Sequence, residues 1–413
     1  MMFHISFTEV YTSSRKIQDM VLQEQQILNN LQAAVTELRN ETALLLFSKF
    51  YRDRVFKVEK RRYATNPRET LSHPNGIYFY IKHFATDYEN IRSVLEHAQS
   101  WSVRKYLSSV ADQADVRGAL RSFLRLQTVY NLSTSDMIRG NYFGRLGPEL
   151  GQEDVMEIGR AALDSGRVER AIEWLEAALQ LVDNKEPTVG FHLFESGTSL
   201  TGQIQALLGR AYNHQGDRQK ATEMYKMAVS LDPQNVQVKQ LERELEFRPP
   251  LAVDPSTQRP FKEELGRLCK LQNKLTKNKF DRRLNCTYRQ VLLPYYRFKM
   301  ELISVTPYVA LFFDVITDEE INGLTNYATD KLKRGVVLAG RESIFVESRT
   351  SDTYFVTNEE SPIADRLSKR TGAILGLEAA HDKQDSFLSS DPFQVVNYGM
   401  GGHYDVHLDS VNK

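Results

Sequence analysis

Between residues 10 and 58 the apolar positions recur at helical spacing. Ile17, Val21, Leu28, Leu31, Val35 and Leu38 form an a/d-type seam, with Glu24 as its one polar interruption. The period predicts a long helix, and such a stripe needs an apolar partner: a second chain in a coiled coil, or helices of its own bundle. Pro67 and the run His73-Pro74-Asn75-Gly76 predict a loop. Helical spacing then resumes to about residue 134 through Val94, Leu95, Tyr106, Leu107, Leu120, Phe123, Leu124 and Leu126. The polar, turn-rich stretch from Asn131 to Asn141 closes this first region, residues 1–142.

Residues 145–245 carry internal repetition. Leu208, Gly209, Tyr212, Ala221, Tyr225, Ala228 and Pro233 fall on tetratricopeptide-repeat spacing, in which small residues let two antiparallel helices approach and a proline ends the second. Gly159, Ala171, Leu175 and Ala178 form a looser first unit, with Ala162 where the pattern wants an aromatic ring. Tyr212 and Tyr225 read as packing residues. Pro249, Pro250, Pro255 and Pro260 open an extended linker, residues 246–302, whose second half is locally basic.

From residue 303 to 413 the texture turns to β. Val309–Asp314 reads as a buried strand, and Thr317-Asp-Glu-Glu320 as a capping box opening a helix to about Leu332. Further strands are predicted over 335–339, 345–351, 353–356 and 393–398, with a helix from Pro362 to about Gly372. Gly399, Gly401 and Gly402 supply a turn before a last strand, His403–Asp409. The fold class is therefore α+β and multidomain: an N-terminal helical or coiled-coil domain, a tetratricopeptide-like domain, and a C-terminal partial double-stranded β-helix or jelly-roll.

Charge changes this picture little. Lys+Arg and Asp+Glu are equal at 53 each, which offers no field for nucleic acid, and the basic residues of the linker read as a solvated surface. No apolar run is long enough to predict a membrane span. The N-terminus lacks the basic and apolar regions of a signal peptide. Two cysteines, Cys269 and Cys286, fit either two buried thiols or one disulfide. Sequons begin at Asn40, Asn131 and Asn285; Asn40 and Asn131 are the candidate glycosylation sites, since Asn285 adjoins Cys286.

On a strand, His403, Asp405, His407 and Asp409 share one face by alternation. An imidazole and a carboxylate two residues apart supply two thirds of a 2-His-1-carboxylate site for non-haem Fe(II). Two overlapping pairs, His403/Asp405 and His407/Asp409, are available, and spacing alone does not choose between them.

The chain resembles the α subunit of animal collagen prolyl 4-hydroxylase, most closely in an arthropod form. The resemblance covers nearly the whole sequence. It rests on Phe123-Leu-Arg-Leu-Gln-Thr-Val-Tyr-Asn-Leu132, on Arg139-Gly-Asn141, on the repeat module, on the Cys269/Cys286 pair, and on Gln394-Val-Val-Asn-Tyr-Gly-Met-Gly-Gly-His-Tyr-Asp-Val-His-Leu-Asp409. The family pattern N-Y-G-x-G-G-x-Y-x-x-H-x-D implies His407 and Asp409 as metal ligands and puts His403 at a variable position. The resemblance further implies hydroxylation of proline in X-Pro-Gly repeats of procollagen, with Fe(II), 2-oxoglutarate, O₂ and ascorbate. It implies self-association through the N-terminal helices, binding of proline-rich peptide by the repeat module, a protein disulfide isomerase β subunit as partner, and a Cys269–Cys286 disulfide in the endoplasmic reticulum lumen.

Two departures accompany it. The family's distal iron histidine and its 2-oxoglutarate-binding lysine have no counterpart among these residues, so the expectation is a truncated chain, inactive as it stands; the alternative is a non-catalytic isoform that dimerises and binds peptide. Leu207, Arg210 and Asn213 also stand where the family's groove presents tyrosines, which leaves the repeat module's peptide-binding residues unassigned.

Overall fold

The computed structural model describes residues 9–22, 24–37, 71–96, 110–181, 199–247, 283–291, 296–339, 342–344, 348–377 and 391–407, with a few isolated positions besides. The chain divides into two compact units, Met1–Gln272 and Asn273–Lys413.

The first unit is helical. The seam residues Ile17 and Leu28, on α1 (Ser14–Leu22) and α2 (Glu24–Glu37), are buried inside the unit. Glu24 is buried as well, with its carboxylate 3.5 Å from His83 Nε2 on α3 (Pro74–Glu96). This part of the seam is thus satisfied by the chain's own bundle. Leu38 lies outside the described residues. The loop expected at 73–76 is instead the start of α3. Pro74 takes the first helical position, where its missing N–H costs no hydrogen bond.

The helix expected to run on to about 134 is interrupted. Residues 110–112 are non-helical, and α4 (Gln113–Tyr130) starts afresh behind Asp112. Asp112 Oδ1 accepts from the Ala114 and Asp115 N–H groups, and Asp115 Oδ2 accepts from Asp112 N–H in return. Asp115 Oδ1 also takes the Val10 and Tyr11 N–H groups at 2.6 and 3.0 Å. One buried carboxylate therefore closes a helix start and anchors the N-terminal segment; burial raises its pKa to about 6 despite those backbone donors.

The segment expected to be plain turn after Asn131 holds a short helix, α5 (Thr134–Ile138), and a hairpin of β1 (Asn141–Tyr142) and β2 (Arg145–Leu146). Asn131, in the left-handed conformation, ends α4 and is exposed.

The repeat region follows as α6 (Gln152–Asp164), α7 (Val168–Gln180), α8 (Leu200–Gln215), α9 (Arg218–Leu231) and α10 (Val236–Phe247). The repeat-spaced Leu208, Tyr212, Ala221 and Ala228 are buried, and α9 stops at Leu231, before Pro233. A Cβ on Gly209 would come within 2.4 Å of Leu241, so the small residue is what lets α10 close on α8. Within this unit α4 packs on α6, and the buried Trp174 of α7 donates Nε1–H to Gln127 of α4 at 2.9 Å. The bundle and the repeats thus share one continuous core.

The second unit contains antiparallel strands. β3 (Cys286–Gln290), β4 (Arg297–Val305) and β5 (Tyr308–Phe313) form one three-stranded sheet. The expectation of a buried strand at 309–314 holds for the strand but not its burial: Val309, Leu311 and Phe313 are exposed. α11 (Asp318–Thr329) begins with the expected Thr317 capping box. A second sheet has the order β10 (Phe393–Asn397), β9 (Asp352–Val356), β6 (Lys333–Arg334). A separate hairpin joins β7 (Val337–Ala339) to β8 (Glu342–Ile344). α12 (Pro362–Leu375) packs on α11, where Arg370 grips Glu320 through two nitrogens at 2.8 and 3.0 Å. Of the strand expected over 345–351, residues 345–347 lie outside the described residues, and 348–351 contribute a single bridge.

Candidate functional site

The candidate metal segment follows β10, whose register against β9 runs from Phe393↔Val356 to Asn397↔Asp352. Asn397 ends the strand and Gly399–Gly402 turns the chain, with Gly402 N–H bonded to Gly399 O at 3.0 Å. A Cβ on Gly402 would lie 2.9 Å from the Thr350 carbonyl, so glycine is required for this close approach.

The chain then lies beside residues 348–350. Thr350 N–H donates to His403 O at 2.9 Å, Asp405 N–H donates to Ser348 O at 2.7 Å, and Arg349 bridges Tyr404 between them. The strand expected over 403–409 is thus reduced, among the described residues, to one bridge.

Within this segment the two histidines differ. The His403 ring meets Thr350 Oγ1 at 3.0 Å through Nδ1, and Thr350 Oγ1 also accepts the His403 N–H. His403 is thereby built into the scaffold, with Nε2 3.8 Å from Asp405. His407 is exposed. Its Nδ1–H donates to the Asp405 carbonyl at 2.7 Å, which makes Nε2 the nitrogen with the lone pair. The His407 ring stacks on Tyr404 with centroids 3.6 Å apart, and the Arg349 guanidinium covers the Tyr404 ring at 4.6 Å. Asp409 lies outside the described residues. Among the described residues no group of three or more His, Cys, Asp or Glu side chains is placed to hold a metal ion.

The other candidate sites are distributed. Cys286 is exposed on β3, while Cys269 lies outside the described residues. Asn40 also lies outside them, whereas Asn131 is on the surface.

In the repeat region, Leu207 and Asn213 are buried. Arg210 Nε lies 3.2 Å from both Glu244 oxygens, and His214 stands 3.8 Å from the same carboxylate. Burial would raise the Glu244 pKa, but His214 and Arg210 outweigh it and hold the group at about 2. Tyr212 donates its hydroxyl to Glu176 on the neighbouring repeat at 2.5 Å, and burial with that carboxylate pushes its pKa to about 12. Tyr225 donates to Glu242 at 2.7 Å. Both tyrosines tie helices together, as packing residues do. Glu176 and Glu242 as their partners, and Glu244 as the partner of Arg210 and His214, were not signalled by the repeat pattern, which specifies apolar and small positions only.

This is the architecture of a helical bundle fused to tetratricopeptide-type helix pairs, followed by antiparallel strands and helices. Residues 13–144 match the family model described as Prolyl 4-Hydroxylase alpha-subunit, N-terminal region, and residues 202–235 match a tetratricopeptide repeat. The chain is 25% identical over 376 residues to a Caenorhabditis elegans "Prolyl 4-hydroxylase subunit alpha-2", covering 84% of this chain and 66% of that protein. It is 28% identical over 372 residues to the Bos taurus "Prolyl 4-hydroxylase subunit alpha-3", covering 82% and 66%. Against the human subunit alpha-3 the identity is 27% over 407 residues, covering 90% and 71%. The chain thus spans about two thirds of the length of these relatives. Over most of its length it is similar to prolyl 4-hydroxylase α subunits.

Proposed function

We propose that this chain belongs to a procollagen-proline 4-dioxygenase, as the α subunit that hydroxylates proline in X-Pro-Gly repeats. The observation that carries the reading is the match to prolyl 4-hydroxylase α subunits over most of the chain, extending through both units. His407 and Asp409 are the proposed iron ligands. The donor chemistry fits Fe(II): an imidazole whose Nδ1–H is held by a backbone carbonyl presents Nε2, and a carboxylate two residues on offsets part of the metal charge. His403 instead fastens the turn to Thr350. Bound Fe(II) would supply the site for 2-oxoglutarate and O₂, with ascorbate maintaining the reduced metal. The proposed setting of the metal pair is a jelly-roll strand. The chain's own residues shape that setting: Gly402 allows the backbone approach, and Arg349 with Tyr404 forms a stacked wall behind the His407 ring.

The finer organisation is part of the same proposal. Residues 1–142 serve self-association, including by coiled-coil contact of the remaining seam; 145–245 bind proline-rich peptide; 246–302 link; and 303–413 carry the dioxygenase elements. A Cys269–Cys286 disulfide, glycans at Asn40 and Asn131, and docking of the protein disulfide isomerase β subunit belong to a setting in the endoplasmic reticulum lumen. No described helix is long and apolar enough to cross a membrane.

The test is 4-hydroxyproline formation from a (Pro-Pro-Gly)-type peptide by the intact protein with Fe(II), 2-oxoglutarate and ascorbate. In a subunit that also supplies the family's distal histidine and 2-oxoglutarate-binding lysine, His407→Ala and Asp409→Ala abolish turnover and His403→Ala retains it, whereas residues 1–413 alone are inactive. Loss of turnover in His403→Ala with retention in His407→Ala would overturn the ligand assignment.

A further inference from the structure

The hairpin that closes the N-terminal bundle presents a feature the proposed activity does not use. β1 and β2 are joined by two residues, Phe143 and Gly144, with φ of +55° and +86°. Positive φ at both loop positions is the type I′ pattern, in which Asn or Gly is favoured at the first position. A phenylalanine there is held in a conformation its side chain disfavours. It is also 76% exposed, so burial does not offset that conformation. Its ring meets Tyr130 edge-on, with centroids 5.8 Å apart, and Leu146 beside it is 79% exposed.

These side chains rim a pocket of about 520 Å³ between the hairpin, the start of α3 and the end of α4. Leu126, Tyr130, Leu132, Phe143 and Leu146 give it apolar walls. Its base is rigid. The buried Tyr142 donates to Asn75 Oδ1 at 2.8 Å, and Asn75 Nδ2 donates to the Met137 and Pro148 carbonyls at 3.0 and 2.8 Å. His73 accepts the Asn75 N–H at Nδ1 and donates from Nε2 to Gly140 O at 2.9 Å, which fixes a neutral ring. Burial lowers its pKa in keeping with that assignment. Arg145 is therefore the cation of the lining, and among the described residues no carboxylate forms a salt bridge with it.

We infer that this pocket is a docking site for an extended partner peptide, rich in aliphatic side chains and proline and carrying a carboxylate that pairs with Arg145. Preformed apolar walls with a few polar groups are what a ligand site needs. Phe143 and Leu146 stand out on the rim, so the occupant that covers them must continue beyond the pocket, as a polypeptide does. The rings of Tyr130 and Phe143 suit proline, whose polyproline conformation carries little ordering cost into an aromatic groove. With no salt bridge to it among the described residues, Arg145 sets the sign of the partner's charge. None of the lining residues lies on the repeat helices α6–α10 or among the proposed metal ligands.

The experiment is calorimetric titration of the intact protein with the probe acetyl-Glu-Leu-Pro-Leu-Pro-Glu-amide. Saturable binding is expected, weakened at least tenfold when the probe's glutamates are replaced by glutamines. Phe143→Gly and Arg145→Gln should each weaken it at least tenfold. Glycine suits φ at position 143, so that variant keeps its thermal midpoint and separates recognition from folding. The inference is overturned if the protein shows no saturable heat, or if Phe143→Gly and Arg145→Gln bind the probe as the unaltered protein does. Conversion of a self-associated protein to monomer by Phe143→Gly would also overturn it, by showing the occupant to be a second copy.

Discussion

Trp174 in the first unit and Phe313 in the second are both large rings on regular elements, yet Trp174 is fully buried and Phe313 is 41% exposed. The contrast extends to their neighbours. Tyr78, Phe84, Tyr88 and Phe123 are sealed inside the helical unit, while Tyr308, Val309 and Leu311 line β5 at 43% to 60% exposure. Helix pairs bury an apolar stripe against the next helix in sequence, so their core closes with local partners. A three-stranded sheet satisfies its backbone with neighbours but has two faces to cover, and the described residues of its own unit leave β5 open.

The comparison can be broken at its strongest point. Trp174→Ala removes the largest fully buried ring among the described residues and leaves Gln127 Oε1 without its donor, at a cost of about 3–5 kcal/mol. A urea titration followed by far-UV circular dichroism should show the helical transition moving to lower denaturant; no movement would mean the bundle and repeats do not share a core.

A smaller effect is expected in the second unit. Arg370→Met strips the half-buried grip on Glu320, costing about 2 kcal/mol because the guanidinium is partly in water. Arg370 holds the Glu320 pKa below its ordinary 4.5, so the contact contributes above that value and is lost as pH falls through the depressed one. The variant's deficit, measured as a difference in thermal midpoint, should shrink on acidification below about pH 4.5.

Asp115 in the first unit responds with the opposite sign. Burial raises its pKa from 3.8 to about 6, so its contribution is fully present below 3.8 and lost as pH rises through about 6. Relative to Asp115→Asn, the unaltered protein should gain about 2 kcal/mol between pH 7 and pH 4, read from paired denaturation curves. Equal pH profiles would remove the desolvation account. The smallest effect belongs to the open sheet: Leu311→Ser and Phe313→Thr should each change the midpoint by less than about 0.5 kcal/mol in stability. A larger loss would show that β5 is covered.

Sequence legibility follows the same division. The repeat-spaced Leu208, Tyr212, Ala221 and Ala228 all proved buried, because the repeat pattern encodes neighbour contacts directly. The Thr317 capping box and the strands at 353–356 and 393–397 were also legible from local signals. The burial of β5 was misread because an apolar run states a preference for burial, not the presence of a covering layer. Pro74 was misread because proline marks a helix start as readily as a loop. Alternation brought His403 and His407 to one face, but it could not distinguish their roles. That difference lies in Thr350 and the Asp405 carbonyl, partners set by tertiary contact. The inward seam likewise depended on His83, far along the chain from Glu24.

The central claim is that this chain carries its proposed iron chemistry on His407 and Asp409 rather than on His403 and Asp405. Its most direct test is the initial rate of 4-hydroxyproline formation by the intact protein and its single alanine variants, with Fe(II), 2-oxoglutarate and ascorbate supplied. The account predicts turnover in a subunit that also supplies the distal histidine and 2-oxoglutarate-binding lysine and in its His403→Ala variant, and none above background in His407→Ala, in Asp409→Ala or in residues 1–413 alone. Undiminished turnover in His407→Ala would contradict it.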